Sequence, residues 1–190
     1  MRHSVFSLEV CARLDMAPTL LEELRPIVRS APEQVTRDEA WGRHAAAADV
    51  LARYLQIIER GCWEYFNEET TAMAMFDDWC RPLLDGGAPR QEPSGNPGYR
   101  DGSPRYLLFT VVYLLARDSP SDLAVRSACD IPEMGLWTKA TFWNLLGAVR
   151  SLSFASVKAD AIYLVPRDQG WGLTQADLAS ETYAYLRMLR

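Results

Sequence analysis

The sequence predicts an α/β (α+β mixed) domain: a small mixed sheet of three or more strands covered by helices, in the order β-α-α-α-loop-β-α-β-α. Three observations carry this. Residues 5–14 alternate strictly between apolar and polar, residues 106–116 are apolar throughout and rich in β-formers, and helical-period stripes follow capping signals at Thr36 and Thr174.

In the opening strand Phe6, Leu8, Val10, Ala12 and Leu14 fall on one side, and Ser7, Glu9, Cys11 and Arg13 on the other. Period two with one apolar side predicts one buried face. Pro18 to Arg29 reads as a helix that Pro26 should kink or shorten, and Ala31-Pro32 ends it. Thr36-Arg-Asp-Glu39 is a capping box, and the helix behind it carries Trp41, Ala45, Ala48, Leu51, Leu55 and Ile58 on one stripe up to a stop at Gly61. Asn67 can cap a third helix through Leu83, with Glu68 and Glu69 favouring its first turn.

Residues 88–104 hold four prolines and three glycines and read as a mobile loop or linker. It divides a helical N-terminal half from a β-α-β-α C-terminal half within a single domain, 1–190. Tyr106 to Ala116 is apolar on both sides, as a central strand is. Residues 117–137 look irregular. Thr138 to Leu152 is a helix with Phe142, Leu145, Leu146 and Val149 inward, and Ala159 to Val165 is a strand. Thr174 caps a last helix with a Leu173–Leu178 staple, its stripe running on through Thr182, Tyr185, Leu186 and Leu189. The final β-α-β predicts a right-handed parallel crossover.

The formal charge is −5. All of it resides between Glu59 and Asp85, where seven acids face Arg60 and Arg81. The remainder balances, and no basic stripe suits a phosphate backbone, so nucleic acid is not the expected partner. The longest apolar run, 106–116, is too short for a membrane span, which needs about 20 residues. Cys11, Cys62, Cys80 and Cys129 form no C-x-x-C pair, so the expectation is free thiols in a reducing, cytoplasmic setting, with no signal peptide, metal or cofactor. Eighteen arginines against Lys139 and Lys158 point to a GC-rich, bacterial genome.

Chemistry is sparsely marked. His44 could be a base or ligand, but it has no acid, cysteine or second histidine three or four residues away, as a structural histidine would not. Glu64 and Glu68 share an i,i+4 spacing; without a Glu-x-x-His partner they read as a solvated acidic face, whose functional version docks a basic protein. Glu69, Asp77 and Asp78 extend that face. No nucleophile elbow, P-loop or dinucleotide fingerprint occurs. Gly170-Trp171-Gly172 is a turn, and Arg167, Asp168 and Trp171 follow a strand where open α/β sheets often place ligands.

The stretches Y-L-L-F-T-V-V-Y-L-L-A (106–116), F-W-N-L-L-G-A-V (142–149), A-I-Y-L-V-P-R-D-Q (161–169), L-T-Q-A-D-L (173–178) and Y-A-Y-L (183–186), with Phe66-Asn-Glu-Glu-Thr70 upstream, resemble the cyanobacterial and plastid family called domain of unknown function 1517. The chain departs from that pattern at Val165-Pro166, where the family has Thr-Pro, and at Tyr185-Leu186, where it has Tyr-Pro. The resemblance implies a related fold and carries no catalytic residue with it.

The leading functional expectation is a non-enzymatic protein-interaction or assembly module, an acidic immunity or antitoxin-like protein being one variant and self-association an option. The alternative is an enzyme or small-ligand-binding domain with its site near Arg167, Asp168 and Trp171. Loop-closure cost grows by only about 0.6 kcal/mol per doubling of length. Replacing 88–104 with a shorter Gly-Ser linker that still spans the gap should therefore leave the melting temperature nearly unchanged. A large fall in thermal unfolding would show that the segment packs.

Overall fold

The computed structural model describes residues 2–29, 36–84, 104–166 and 172–190, with the side chains of 81–84 left aside. The expected α/β class is what these residues form. The strands are β1 (His3–Arg13), β2 (Ile58–Phe66), β3 (Tyr106–Ala116), β4 (Val157–Val165) and β5 (Arg187–Met188). The helices are α1 (Pro18–Arg29), α2 (Arg37–Arg53), α3 (Glu69–Leu84), α4 (Pro120–Cys129), α5 (Lys139–Arg150) and α6 (Gln175–Ala179). One sheet has the order β4-β3-β1-β2-β5, and every neighbouring pair is antiparallel.

The sheet is thus not mixed, and the expected parallel crossover between β3 and β4 is absent. β4 returns antiparallel alongside β3, with Leu108 opposite Val165 and Leu114 opposite Ala159. A second correction concerns 58–66. The helical stripe does not run on to a stop at Gly61; α2 ends at Arg53, a short 3-10 turn at Leu55–Ile57 follows, and β2 begins. The run Ile58 to Phe66 places Cys62, Trp63, Tyr65 and Phe66 where β-propensity is high, and pairing with β1 decides the state.

Other boundaries move for similar reasons. Pro26 sits within α1 without ending it. Residues 120–129 are helical and not irregular, because Ser119 caps them, its hydroxyl accepting from the Asp122 N–H, and Pro120 fills the first helical position. The Thr174 box is present, its Oγ1 accepting from the Asp177 N–H at 3.0 Å, but α6 ends at Ala179 and the chain turns into β5. The stripe expected beyond Leu178 is therefore not helical. In α2 the buried face is Ala40, His44, Ala47, Ala48, Val50 and Leu51, while Trp41, expected inward, is exposed. The segment 88–104 lies outside the described residues except for Pro104. The halves it divides share one sheet, since β1 pairs with both β2 and β3.

β3 has the two-sided burial that its composition predicts. β1 corrects expectation: both of its faces are buried. On the first face Phe6, Leu8, Val10 and Ala12 join Leu107, Phe109, Val111 and Leu115 beneath α1, α2 and α5, which contribute Leu20, Leu24, Leu51, Phe142, Leu145 and Val149. Burial of these side chains is the main source of stability, at roughly 1.5–3 kcal/mol for each large one.

Gly61 is required by close approach. A Cβ there would stand 2.4 Å from Cε1 of Phe142 and 2.9 Å from the Glu9 carbonyl oxygen. Its missing side chain lets α5 seat Phe142 directly on the sheet. Gly61→Ala should cost about 1–3 kcal/mol as overpacking, lowering the melting temperature by about 2–4 °C per kcal/mol. An unchanged transition in calorimetry would mean that Phe142 can yield.

Candidate functional site

The second face of the sheet is built differently from the first. Cross-strand partners share a face, so the register arranges its side chains in rows. One end row is Phe66, Val5, Leu114 and Ala159; the other is Arg60, Cys11, Leu108 and Val165. Between them lie Glu64, Ser7, Val112 and Ala161, then Cys62, Glu9, Thr110 and Tyr163. The two ends are covered separately. Over the first, α3 packs Ala72 and Cys80, with Phe76 and Trp79, onto Val5, Val112 and Leu114. Over the other, Leu173, Leu178, Tyr183 and Leu186 of the C-terminal segment pack onto Cys11, Tyr106 and Leu108.

The strip between these two apolar covers is a shallow cleft with a cavity volume of about 50 Å³. Its floor is Ser7, Glu9, Thr110 and Val112; Asp78 and Trp79 of α3, Tyr163 of β4 and Tyr183 of the C-terminal segment form its walls. Glu9 is 8% exposed. Its Oε2 accepts from the Thr110 hydroxyl and from the Tyr185 phenol, both at 2.9 Å. The side chain expected to face solvent therefore holds β1, β3 and the C-terminal segment together through one carboxylate.

The proposed site residues divide among several places. Glu64 is on β2, half-buried beside Ser7, and not on a helix with Glu68. Glu68 precedes α3, where its carbonyl accepts from the Ala72 N–H, so α3 starts at Glu69, with Glu68 rather than Asn67 in the capping position. Glu69 lies 3.2 Å from Nδ1 of His3. Asp77 and Asp78 are exposed farther along α3, Asp78 at the cleft. Arg167, Asp168 and Trp171 lie outside the described residues. Val165, shortly before them, lines the cleft, and Leu173, shortly after, bridges to Tyr106.

His44 is fully buried and doubly bonded. Nδ1 lies 2.6 Å from the Tyr113 hydroxyl and Nε2 lies 2.7 Å from Oδ2 of Asp160. A carboxylate only accepts, so Nε2 donates to Asp160, and Nδ1 shares a hydrogen bond with the Tyr113 hydroxyl. Arg43 approaches the same carboxylate at 3.6 Å. Phe6 and Phe154 close around the Tyr113 ring. Burial pushes the Tyr113 phenol well above its usual range, and the nearby Asp160 charge adds to this. The arrangement ties α2 to β3 and β4.

A second buried node is Asp122, which has no exposed side-chain surface. It accepts from the Ser4 hydroxyl, from the Tyr65 hydroxyl at 2.7 Å, from the Asp118 N–H at 2.7 Å and from Arg126 at 2.9 Å. Burial raises its pKa; the Ser4 and Tyr65 hydroxyls, the Asp118 amide and the Arg126 charge outweigh that and hold it below its ordinary value. The four sulfurs are unbonded thiols. Burial pushes Cys11, Cys62 and Cys129 up to about 12, with Glu64 and Glu9 adding to the effect at Cys62, so these three are protonated and inert near neutrality. Among the described residues no trio of His, Cys, Asp and Glu gathers as a metal site would require, and no helix is long and apolar enough to cross a membrane.

No protein-family model, curated protein or solved structure matches the chain.

The floor residues Ser7, Glu9 and Thr110 carry a signal in the sequence, but a divided one. Thr110 is the single polar residue within the apolar run 106–116, and it faces the polar side of the alternating strand only once register is known.

The Asp122 node gives a pH prediction. Its carboxyl has a folded pKa below the ordinary 3.8, so its contribution is complete above that value and is lost as pH falls through the folded one. Acid unfolding of the wild type should therefore include a component below about pH 4. Asp122→Asn should lack that component and lose about 1–3 kcal/mol at neutral pH. Urea melts across pH would reveal an equal acid slope in the variant if the node does not matter.

Proposed function

We propose that the protein is a non-enzymatic interaction module, and that α3 with the adjoining cleft receives a basic segment of a partner protein. The observation that carries this reading is the concentration of the whole formal charge of −5 between Glu59 and Asp85. Within that stretch α3 and the residue preceding it present Glu68, Asp77 and Asp78 to solvent. Complementary charge speeds encounter and fixes orientation. The burial of His44 and Tyr113, and the protonated state of the three thiols, support recognition over group transfer.

We place the protein in the cytoplasm on the same terms, with its unbonded thiols as support. The similarity to the domain of unknown function 1517 family belongs to this proposal too; it adds no residue role.

A second reading keeps the cleft for a small molecule. It is favoured by the polar floor of Ser7, Glu9 and Thr110 between the aromatic walls Trp79, Tyr163 and Tyr183, the composition ligand sites tend to have. Arg167, Asp168 and Trp171, which follow β4 in the chain, stay part of that alternative.

Selection from a random peptide library against the whole protein separates the two. Peptides rich in Arg and Lys should be enriched. The triple variant Glu68→Gln, Asp77→Asn, Asp78→Asn should slow their association by about tenfold or more at low salt and flatten the salt dependence. Its melting temperature should hold, because exposed acids contribute little stability. Enrichment without positive charge, or an unchanged rate, would remove the acidic surface from the reading. Small-molecule fragments that shift the resonances of Thr110 and Tyr163, with no peptide enriched, would favour the second.

A further inference from the structure

The two edges of the sheet differ. β5 is a two-residue strand carrying Arg187, and it pairs only with Arg60 and Gly61. β4 has nine residues and pairs with β3; among the described residues no strand or bridge lies along its other side. An extended edge of this length offers a row of backbone donors and acceptors to another strand.

Seven of the nine side chains of β4 are apolar: Val157, Ala159, Ala161, Ile162, Tyr163, Leu164 and Val165. Both faces of the strand are covered, with α1 against it on the first face and the α3 cluster packed against Ala159, Ala161 and Tyr163 on the second. Even so, of the nine only Leu164 is fully buried. Tyr163 and Val165 owe part of their exposure to the cleft, and the flank of the strand has no described neighbour. Proteins usually blunt such an edge with prolines, charges or bulges. Here the one irregularity falls between Leu114 and Leu115, opposite the start of β4, and Ala159 to Val165 keeps an unbroken register. Lys158 lies just outside that stretch, and Asp160 is turned under the sheet to His44.

We propose that two copies of the chain pair through β4 across a twofold axis, antiparallel, to form one continuous ten-stranded sheet. The midpoint of the regular stretch is Ile162. A dyad there sets Ile162 against itself, Ala161 against Tyr163, Ala159 against Val165, and Asp160 against Leu164. The two alanines meet the larger Tyr163 and Val165, and no like charges oppose each other, which favours cross-strand pairing. Lys158 faces Pro166, which cannot donate and so ends the ladder. A twofold contact is complementary to itself without any further design. Charge selects this edge as well. β4 is neutral, with one lysine and one aspartate, whereas β2, which carries Glu59 and Glu64, is separated from it by β3 and β1. Joining two copies at β4 keeps those acids apart.

Sedimentation of the full chain over a range of concentrations should give twice the chain mass at the upper end and the chain mass on dilution. Amide hydrogen exchange over the same range reads the interface. Every second amide between 159 and 165 bonds to β3 and is slow throughout. The intervening amides should slow by about tenfold or more as the dimer forms. A monomer at every concentration would overturn the proposal. So would a dimer in which those intervening amides exchange at the same rate as in the monomer.

Discussion

The middle strand β1 must be buried on both faces, yet only one of its faces is apolar. On the other it carries Ser7 and Glu9, which are 5% and 8% exposed. Glu9 is accommodated by partners far away in sequence, the hydroxyls of Thr110 and Tyr185. A buried carboxylate without such donors would cost several kcal/mol. The second face therefore cannot be closed by a single apolar layer. It is closed by two separate covers, α3 at one end and the C-terminal segment at the other, and the cleft is the gap that the polar strip imposes. Fold and candidate site follow from the same constraint.

Much of the fold was legible. The alternation in β1, the apolar run of β3 and the burial of Phe142, Leu145, Leu146 and Val149 on α5 are local patterns with a clear period. β2 was not legible, because Leu55 and Ile58 continue the spacing of α2 and the residues after them have no strict alternation; pairing with β1 outweighs that weak helical pattern. The direction of β4 was lost for a related reason. Residues 120–137, read as irregular, hold α4 and a 3-10 turn, so the connection from β3 to β4 is longer and more structured than a simple crossover, and the βαβ rule does not govern it.

The candidate site was legible only in part. Asp78 was singled out for its charge and does border the cleft, whereas Ser7 and Glu9 were assigned to solvent, because an alternating strand conventionally shows its polar side to water. Whether that side is wet depends on what the rest of the chain lays over it, and no local pattern records this. His44 shows the complement. On its own helix it has no partner, and its two bonds come from β3 and β4, over sixty residues away.

The position of β1 also bears on how the molecule is made. Among the described strands, the first in chain order is the middle strand of the sheet, and its neighbours are residues 58–66 and 106–116. Neither edge of β1 is satisfied by adjacent chain, and its second edge stays unpaired until residues 106–116 have been synthesised. The topology has a high contact order, which slows folding and leaves nascent chains open to misassociation. The hydroxyl and carboxylate side of β1 gives the waiting strand one water-compatible face, the same side that later floors the cleft.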